Sequence, residues 1–193
     1  MQRALTIIKD EHRALAAVLR GLQYVVEKIR NGQQKPDFVL LKSMLDYIEA
    51  FPDKLHHPKE DEYLYRLLRE RDPGAVVTLD LLEEEHRQEP EWLRGLRASL
   101  ESFEQDESNF GTFAKAVESY VASHFSHMNK EEDVILPLAE KALKPEDWKE
   151  IDAAFASNED PLVGIGTQRE FRDLFSHIVN LMPAPYGLGP EQR

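Results

Sequence analysis

Residues 56–61 read His-His-Pro-Lys-Glu-Asp, and residues 127–132 read His-Met-Asn-Lys-Glu-Glu. In both stretches a histidine stands four residues before a glutamate, so the second stretch repeats the pattern of the first. Residues four apart on a helix share a face, with Cβ atoms about 5–6 Å apart. Each pair can therefore direct an imidazole and a carboxylate at one point. The two pairs are His56 with Glu60 and His127 with Glu131.

A histidine on the preceding helix completes each copy of this pattern. His12 follows Asp-Glu and His86 follows Glu-Glu, and the interval between these histidines is close to the interval between the two pairs. The chain thus repeats a helical hairpin that has one histidine on its first helix and a His-x-x-x-Glu pair on its second. Each copy supplies two imidazoles and one carboxylate, the ligand set that non-haem iron favours. Two copies make room for two metal ions, with the carboxylates free to bridge them.

Apolar residues recur at intervals of three and four through four long stretches, which predicts amphipathic helices. Turn and stop signals separate the stretches, among them Asn31-Gly32 and Asp72-Pro73-Gly74. Pro52 and Pro58 predict a kink or a restart in the second stretch, and Pro90 predicts an irregularity in the third. The predicted stretches are residues 5–29, 37–71, 75–104 and 113–143.

Four long helices joined by short loops indicate an all-α fold, an antiparallel up-down four-helix bundle. We assign residues 1–143 to the bundle and residues 144–193 to a short C-terminal helical appendage with a loose tail. The appendage is predicted to contain a short helix over residues 146–156 and an amphipathic helix over residues 168–182.

The up-down arrangement brings the histidines and glutamates to one level. A helix rises about 1.5 Å per residue, so residues equally far from a turn lie at the same level. His12 lies about 21 residues before the first turn and the first pair about 24 residues after it. His86 lies about 22 residues before the third turn and the second pair about 20 residues after it. A lone histidine on an apolar stripe is more often a packed core residue than a ligand. Four histidines and two carboxylates buried at one level would be costly without a metal, however, so we predict a metal site.

Composition restricts the classes of function. The 193 residues include no cysteine, which excludes disulfides, thiolate metal sites and cysteine nucleophiles. With 24 Lys and Arg against 36 Asp and Glu, the net charge is −12, which argues against partners such as nucleic acid or an anionic membrane surface. No apolar run approaches about 18 residues, and the first residues lack the apolar core of a signal peptide. We expect a cytoplasmic protein.

Further residues extend the two histidine stretches into a wider pattern, which consists of His12, Phe51-Pro52, residues 56–62, His86, His127, Glu131-Glu132 and Pro137. Through this pattern, residues 1–143 resemble the hemerythrin-like, or HHE cation-binding, proteins. The resemblance implies a four-helix bundle that holds a non-haem di-iron centre bridged by an oxo or hydroxo group and two carboxylates. Members of the family bind O₂, respond to NO, peroxide or iron, or handle iron. Terminal ligands would be His12, His56, His86 and His127, and bridging ligands Glu60 and Glu131.

One donor differs from the oxygen-carrying members of that family. They use a further histidine one turn before the ligand of the third helix, where this chain has Leu82. His57 and His124 are candidate replacements, and Glu83 is a weaker one. On a regular helix His57 would point about 100° away from its neighbour His56, whereas His124 shares a stripe with the second pair.

Two functions are consistent with such a centre. In the first, a di-iron site binds or reacts with a small ligand (O₂, NO or peroxide) in sensing, scavenging or redox chemistry, and Tyr63 or Tyr120 could hydrogen-bond that ligand if not simply packed in the core. In the second, an iron-sensing or iron-handling protein works without turnover, and its appendage presents a surface to a partner according to metal occupancy. A purely structural bundle, or one that holds zinc or manganese, is a third interpretation, because sequence does not choose the metal. A protein partner or a homo-oligomer is left open.

Overall fold

Helices form almost all of the structure, a computed structural model that describes residues 2–156 and 178–180. These residues include no β-strand, and none of their helices is long and apolar enough to cross a membrane. The all-α prediction is confirmed for this part of the chain. The helix predicted over residues 168–182 lies outside the described residues except at 178–180, which are helical. The helices are α1 (Arg3–Arg30), α2 (38–71), α3 (Val76–Gln105), α4 (110–142) and α5 (Pro145–Phe155).

Short polar turns end the long helices where the sequence predicts. Gly32, just after α1, has φ +66°, a left-handed conformation that glycine adopts without strain. Asp37 caps α2 by accepting a hydrogen bond from the backbone N–H of Leu40 at 3.0 Å. Asp72 and Asp106 each accept a bond from the backbone N–H two residues later, in the turns that lead to α3 and α4. These turns fix the lengths of the helices.

Three π-helical segments interrupt the α-helical geometry of α2 and α4. They are Glu49–His56 and Glu60–Tyr65 in α2, and Glu131–Ile135 in α4. Pro52 lies in the first of them, and its missing N–H removes one α-helical hydrogen bond. A π-helical turn holds one more residue than an α-helical turn and so rotates the side chains that follow it. Each segment begins or ends at one of the predicted ligands.

The other two prolines differ in their effect. Pro58 lies in the first turn of the α-helical segment His57–Lys59, which restarts α-helical geometry between two π-helical segments, and α2 continues through it. The irregularity predicted at Pro90 does not occur, because α3 is one continuous α-helix from Val76 to Gln105. Pro90 lies on the exposed face of that helix, where water can bond the carbonyl that lacks an N–H partner.

Two apolar clusters fill the interior on either side of a polar layer. The first cluster is built from the C-terminal halves of α1 and α3 and the N-terminal halves of α2 and α4. The second is built from the opposite halves of these helices together with α5. Both α1 and α3 pack against α2 and α4. The polar layer between the clusters comprises Glu11, His12, His56, His57, Glu60, His86, Glu89, His124, His127 and Glu131, all of them buried.

Helix α5 is packed into the second apolar cluster. Trp148 and Phe155 are both buried there. Arg71, at the end of α2, donates two hydrogen bonds of 2.8 Å to the carboxylate of Asp147 and so holds the start of α5 in place. The helix predicted over residues 146–156 is found within one residue of its expected limits. The division of the chain into a bundle and an appendage after residue 143 stays a prediction.

Replacing Phe155 with alanine should lower the free energy of unfolding by about 3–5 kcal/mol, because its ring is fully buried. Denaturant unfolding followed by circular dichroism measures the loss. Lys149→Ala on the exposed face of the same helix is the control and should change little. A loss below about 1 kcal/mol for Phe155→Ala would show that α5 adds little to the stability of the other helices.

Candidate metal centre

Four of the histidines form two facing pairs in the polar layer. His12 and His56 bring their Nε2 atoms to 3.2 Å from each other, and His86 and His127 bring theirs to 3.0 Å. All four side chains are buried. The first pair joins α1 to α2 and the second joins α3 to α4, as the hairpin repeat predicts. Each pair directs two imidazole nitrogens at one point, as the ligands of a metal ion do.

Two buried carboxylates lie between the pairs and reach both of them. Oε1 of Glu60 is 3.3 Å from Nε2 of His56, and its Oε2 is 3.8 Å from Nε2 of His86. Oε2 of Glu131 is 3.3 Å from Nε2 of His12 and 3.4 Å from Nε2 of the histidine four residues before it. Each carboxylate therefore faces one imidazole from each half of the repeat, which is the placement that a bridging ligand needs.

A second set of carboxylates binds the outer nitrogens of the same histidines. An Nδ1–H that is donated outward leaves Nε2 as the nitrogen whose lone pair faces the centre. Such partners fix the tautomer and the ring orientation of histidines that bind metals. The Nδ1-to-carboxylate distances are 2.9 Å for His12 with Glu132, 2.7 Å for His56 with Glu11, 2.8 Å for His86 with Asp61 and 2.9 Å for His127 with Glu85.

These four outer carboxylates were not predicted from the sequence, because acidic runs beside the ligands look like solvated helix faces. Each of them is the direct sequence neighbour of a predicted ligand. The repeat also relates them as it relates the ligands. Glu85 follows Glu11 at the interval that separates the histidines next to them, and Glu132 follows Asp61 at the interval that separates the two His-x-x-x-Glu pairs. Those shared intervals are the signal that could have found them.

The carboxylates hold protons on the imidazoles when no metal is bound. Burial alone would lower the pKa of His56, but the carboxylates of Glu60 and Glu11 outweigh burial and raise this pKa well above its usual value. Burial would likewise lower the pKa of His127, but nearby carboxylates, of which Glu131 has the largest effect, raise it to about 10. Burial would raise the pKa of Glu131, but its imidazole neighbours hold it well below its usual value. A metal ion that binds here must displace these protons.

Tyr65 also belongs to the centre, although the sequence pointed to other tyrosines. Its buried hydroxyl donates a hydrogen bond to Oε1 of Glu131, and its ring stacks on His86 with centroids 5.6 Å apart. Burial and the nearby carboxylates raise the pKa of Tyr65 well above its usual value, so the hydroxyl keeps its proton. On a regular α-helix Tyr65 would lie about 140° from Glu60, and the π-helical turn between them reduces that angle. Tyr63 instead packs against the second apolar cluster.

His57 reaches the second histidine pair. Its ring stacks on that of His86 with centroids 4.2 Å apart. One of its nitrogens lies within 4.8 Å of ligand atoms of Glu60, His86 and His127. The rotation of about 100° between successive helical residues directs His56 toward α1 and His57 toward α3. The rotation of about 100° that turns His57 away from His56 therefore directs its ring at α3.

The other two candidate replacement donors have partners elsewhere. Nε2 of His124 contacts the carboxylate of Glu89, and its Nδ1 lies 3.0 Å from the backbone oxygen of Tyr120. Both of its ring nitrogens therefore already have acceptor partners. Glu83 forms an ion pair of 2.8 Å with an arginine of α2. Of the three candidates, His57 has the position of a ligand.

The donor set fits a pair of cations. Both oxygens of Glu60 and Oε2 of Glu131 are buried and accept no hydrogen bond from the residues that the structure describes. A buried carboxylate oxygen that accepts no hydrogen bond is costly, and a bound cation would lower that cost. Glu60 also belongs to both groups of side chains whose ligand atoms are close enough to hold an ion. These groups are His12, His56 and Glu60, and His57, Glu60, His86 and His127.

The surroundings of the two histidine pairs differ. A cleft of about 270 Å³ between α2 and α3 is lined by His57 and His86 together with polar residues such as Asp61. On the other side, the ring of Phe155 lies 6.1 Å from that of His56, between centroids. The cleft therefore approaches the centre beside the second pair, and α5 covers part of the first.

Comparison with known proteins agrees with this geometry. The family model described as Hemerythrin HHE cation binding domain matches residues 3–139. A search of curated proteins gave no match. The family match covers most of the chain and includes all six predicted metal ligands. The chain therefore belongs to the hemerythrin HHE cation-binding domain family.

Proposed function

We propose that the polar layer holds two metal ions, an iron pair joined by an oxo or hydroxo bridge. The observation that supports this most is the burial of three carboxylate oxygens that accept no hydrogen bond within the described residues. Zinc or manganese could substitute, because these donor types accept several metals. The proposed ligands are His12 and His56 at one ion, His86 and His127 at the other, Glu60 and Glu131 as bridges, and His57 as an additional nitrogen donor.

We also infer that residues 1–143 form an antiparallel up-down four-helix bundle, with the rest of the chain as an appendage. Each apolar cluster combines opposite halves of successive helices. In the first cluster these are the C-terminal halves of α1 and α3 and the N-terminal halves of α2 and α4, which supports alternating helix directions. In this arrangement the two hairpin copies meet at the level of the metal centre.

The function that this geometry supports best is binding of, or reaction with, a small ligand such as O₂, NO or peroxide. Iron would supply the redox chemistry and a coordination position for that ligand. The chain holds the donors in place, excludes bulk water with its two apolar clusters and keeps a proton at the hydroxyl of Tyr65, beside Glu131. The cleft of about 270 Å³ beside His86 is of a size to admit small molecules. Sensing, scavenging or redox chemistry would follow from such binding.

An iron-sensing or iron-handling role without turnover is the second candidate. The contact between Phe155 and His56, with ring centroids 6.1 Å apart, supports it. A change in the orientation of His56 on metal binding would reach α5 through this contact. The appendage that contains α5 would then present a surface to a protein partner.

Composition supports the remaining proposals. A net charge of −12 disfavours a nucleic-acid partner, and the absence of cysteine is compatible with a cytoplasmic location. We propose that location and leave homo-oligomerisation open.

The wild-type protein loaded with ferrous iron should contain about two ions per chain, whereas His56→Ala and His127→Ala should each retain about one or fewer. Glu60→Gln should weaken both sites, because its two oxygens face different histidine pairs. Colorimetric iron analysis after desalting gives the count. Glu62→Gln, two residues away and outside the polar layer, is the matched control. Wild-type protein without bound metal would contradict the proposed function.

Metal-free and metal-loaded protein should respond in opposite directions as the pH rises above the usual histidine pKa of 6.5. The raised pKa values of His56 and His127 stabilise the metal-free fold fully below 6.5, and this stabilisation is lost as the pH rises toward about 10. Metal binding displaces the same protons, so affinity rises with pH, and metal should be lost below about pH 6. Melting temperatures of both forms across this range test the prediction. A metal-free protein that becomes more stable between pH about 7 and 10 would refute it.

Addition of NO, O₂ or peroxide to the iron-loaded protein should change its visible absorption while its far-ultraviolet circular dichroism stays constant. Such a change supports small-ligand chemistry at the iron. An unchanged spectrum, together with iron-dependent protease cleavage after α5, would instead favour the sensing role.

A further inference from the structure

A buried polar array lies beside the second histidine pair, and the centre described above does not account for it. Glu89 on α3 is 4% exposed. Its Oε2 is 3.1 Å from Nδ1 of His57, and its Oε1 contacts Nε2 of His124. The hydroxyl of Tyr120 donates a longer bond of 3.4 Å to the same Oε1. Glu89 thus places a carboxylate oxygen near Nδ1 of His57, the nitrogen that the outer carboxylates contact in the four paired histidines.

The other half of the repeat lacks this array. The intervals that relate the ligands of the two halves match Glu89 with Leu15 and His57 with Met128. Leu15 and Met128 are both buried in the first apolar cluster. The first histidine pair therefore has apolar side chains at the positions where the second pair has an imidazole and its carboxylate.

An ionised carboxylate in a bundle interior is costly unless it is paired. Glu89 is paired on both of its oxygens, with His57 beside Oε2 and His124 beside Oε1. With the proton of His57 on Nδ1, the nitrogen 3.1 Å from Oε2 of Glu89, Nε2 is the nitrogen with a lone pair.

We propose that Glu89 is a positioning residue that holds His57 beside the proposed His86/His127 ion. This inference rests on the proposed two-metal centre. His57 then lies beside one of the two ions, and the two ions bind with different affinities. Glu89 acts on one of the two positions only, because the repeat supplies no counterpart at the other.

Anaerobic titration with Fe²⁺, followed by calorimetry and by an iron count, tests the proposal. Wild-type protein should bind two ions in distinguishable steps. His57→Met and Glu89→Leu, which introduce the residues of the other half, should each lower the affinity of one step by about 10–100-fold and leave the other step unchanged. The double variant should lose no more than His57→Met alone, because Glu89 acts through His57. Glu89→Gln, which keeps an acceptor oxygen for Nδ1–H, should restore part of the affinity.

Glu91→Leu is the matched control, since Glu91 lies two residues further along α3 and is exposed. Melting temperatures of the metal-free variants separate loss of fold from loss of affinity, and Glu89→Gln serves if Glu89→Leu does not fold. Wild-type protein that binds fewer than two ions would refute the proposed function itself. If wild type binds two ions and Glu89→Leu binds both as tightly, or if Glu89→Leu still weakens binding in the His57→Met background, the role of Glu89 is refuted and the two-metal proposal stands.

Discussion

Two carboxylates, Glu60 and Glu131, are buried between the apolar clusters, and their burial governs how the helices pack. An ionised carboxylate in an apolar interior costs several kcal/mol unless it is paired. Three of the four oxygens accept no hydrogen bond from described residues, and the fourth accepts one from Tyr65. The facing imidazoles offset part of this cost through their charge, and bound cations would offset the rest. The apolar clusters on both sides exclude water, so the stability of the polar layer depends on the interactions among its own side chains.

The outer carboxylates make the two halves of the repeat depend on each other. Glu11 and Glu85 each orient a histidine of their own half, whereas Asp61 and Glu132 cross to histidines of the other half. The glutamates at the centre likewise contact imidazoles from both halves. Neither hairpin therefore has a complete set of donors by itself. Packing of the two halves and assembly of the donor set are therefore one event, and binding of the proposed metal ions should be coupled to folding.

Much of this could be predicted from spacing alone, because a helix converts intervals of four residues into a shared face. The all-α class and the convergence of the six predicted side chains follow from that rule and from the hairpin repeat. The rule fails where the helix is not regular. The position of Tyr65 depends on a π-helical turn, and the spacing of residues in the sequence does not predict that turn. His57 illustrates a second limit, because a residue that points away from one neighbouring helix can point at another, and only packing decides which. The outer carboxylates could have been predicted, because they repeat at the same intervals as the ligands next to them.

The two halves of the repeat supply equivalent donors to the two histidine pairs, and the departures from equivalence concentrate around His86. The rings of His57 and Tyr65 both stack on that of His86, with interplanar angles of 15° and 9°. The repeat matches these two aromatic partners with Met128 and Leu136, which are buried apolar side chains. The cleft between α2 and α3 is also lined by His86 and His57. The half of the centre that differs most from its copy is therefore the half that the cleft approaches. The added imidazole, carboxylate and hydroxyl are thus all on the side of the second pair.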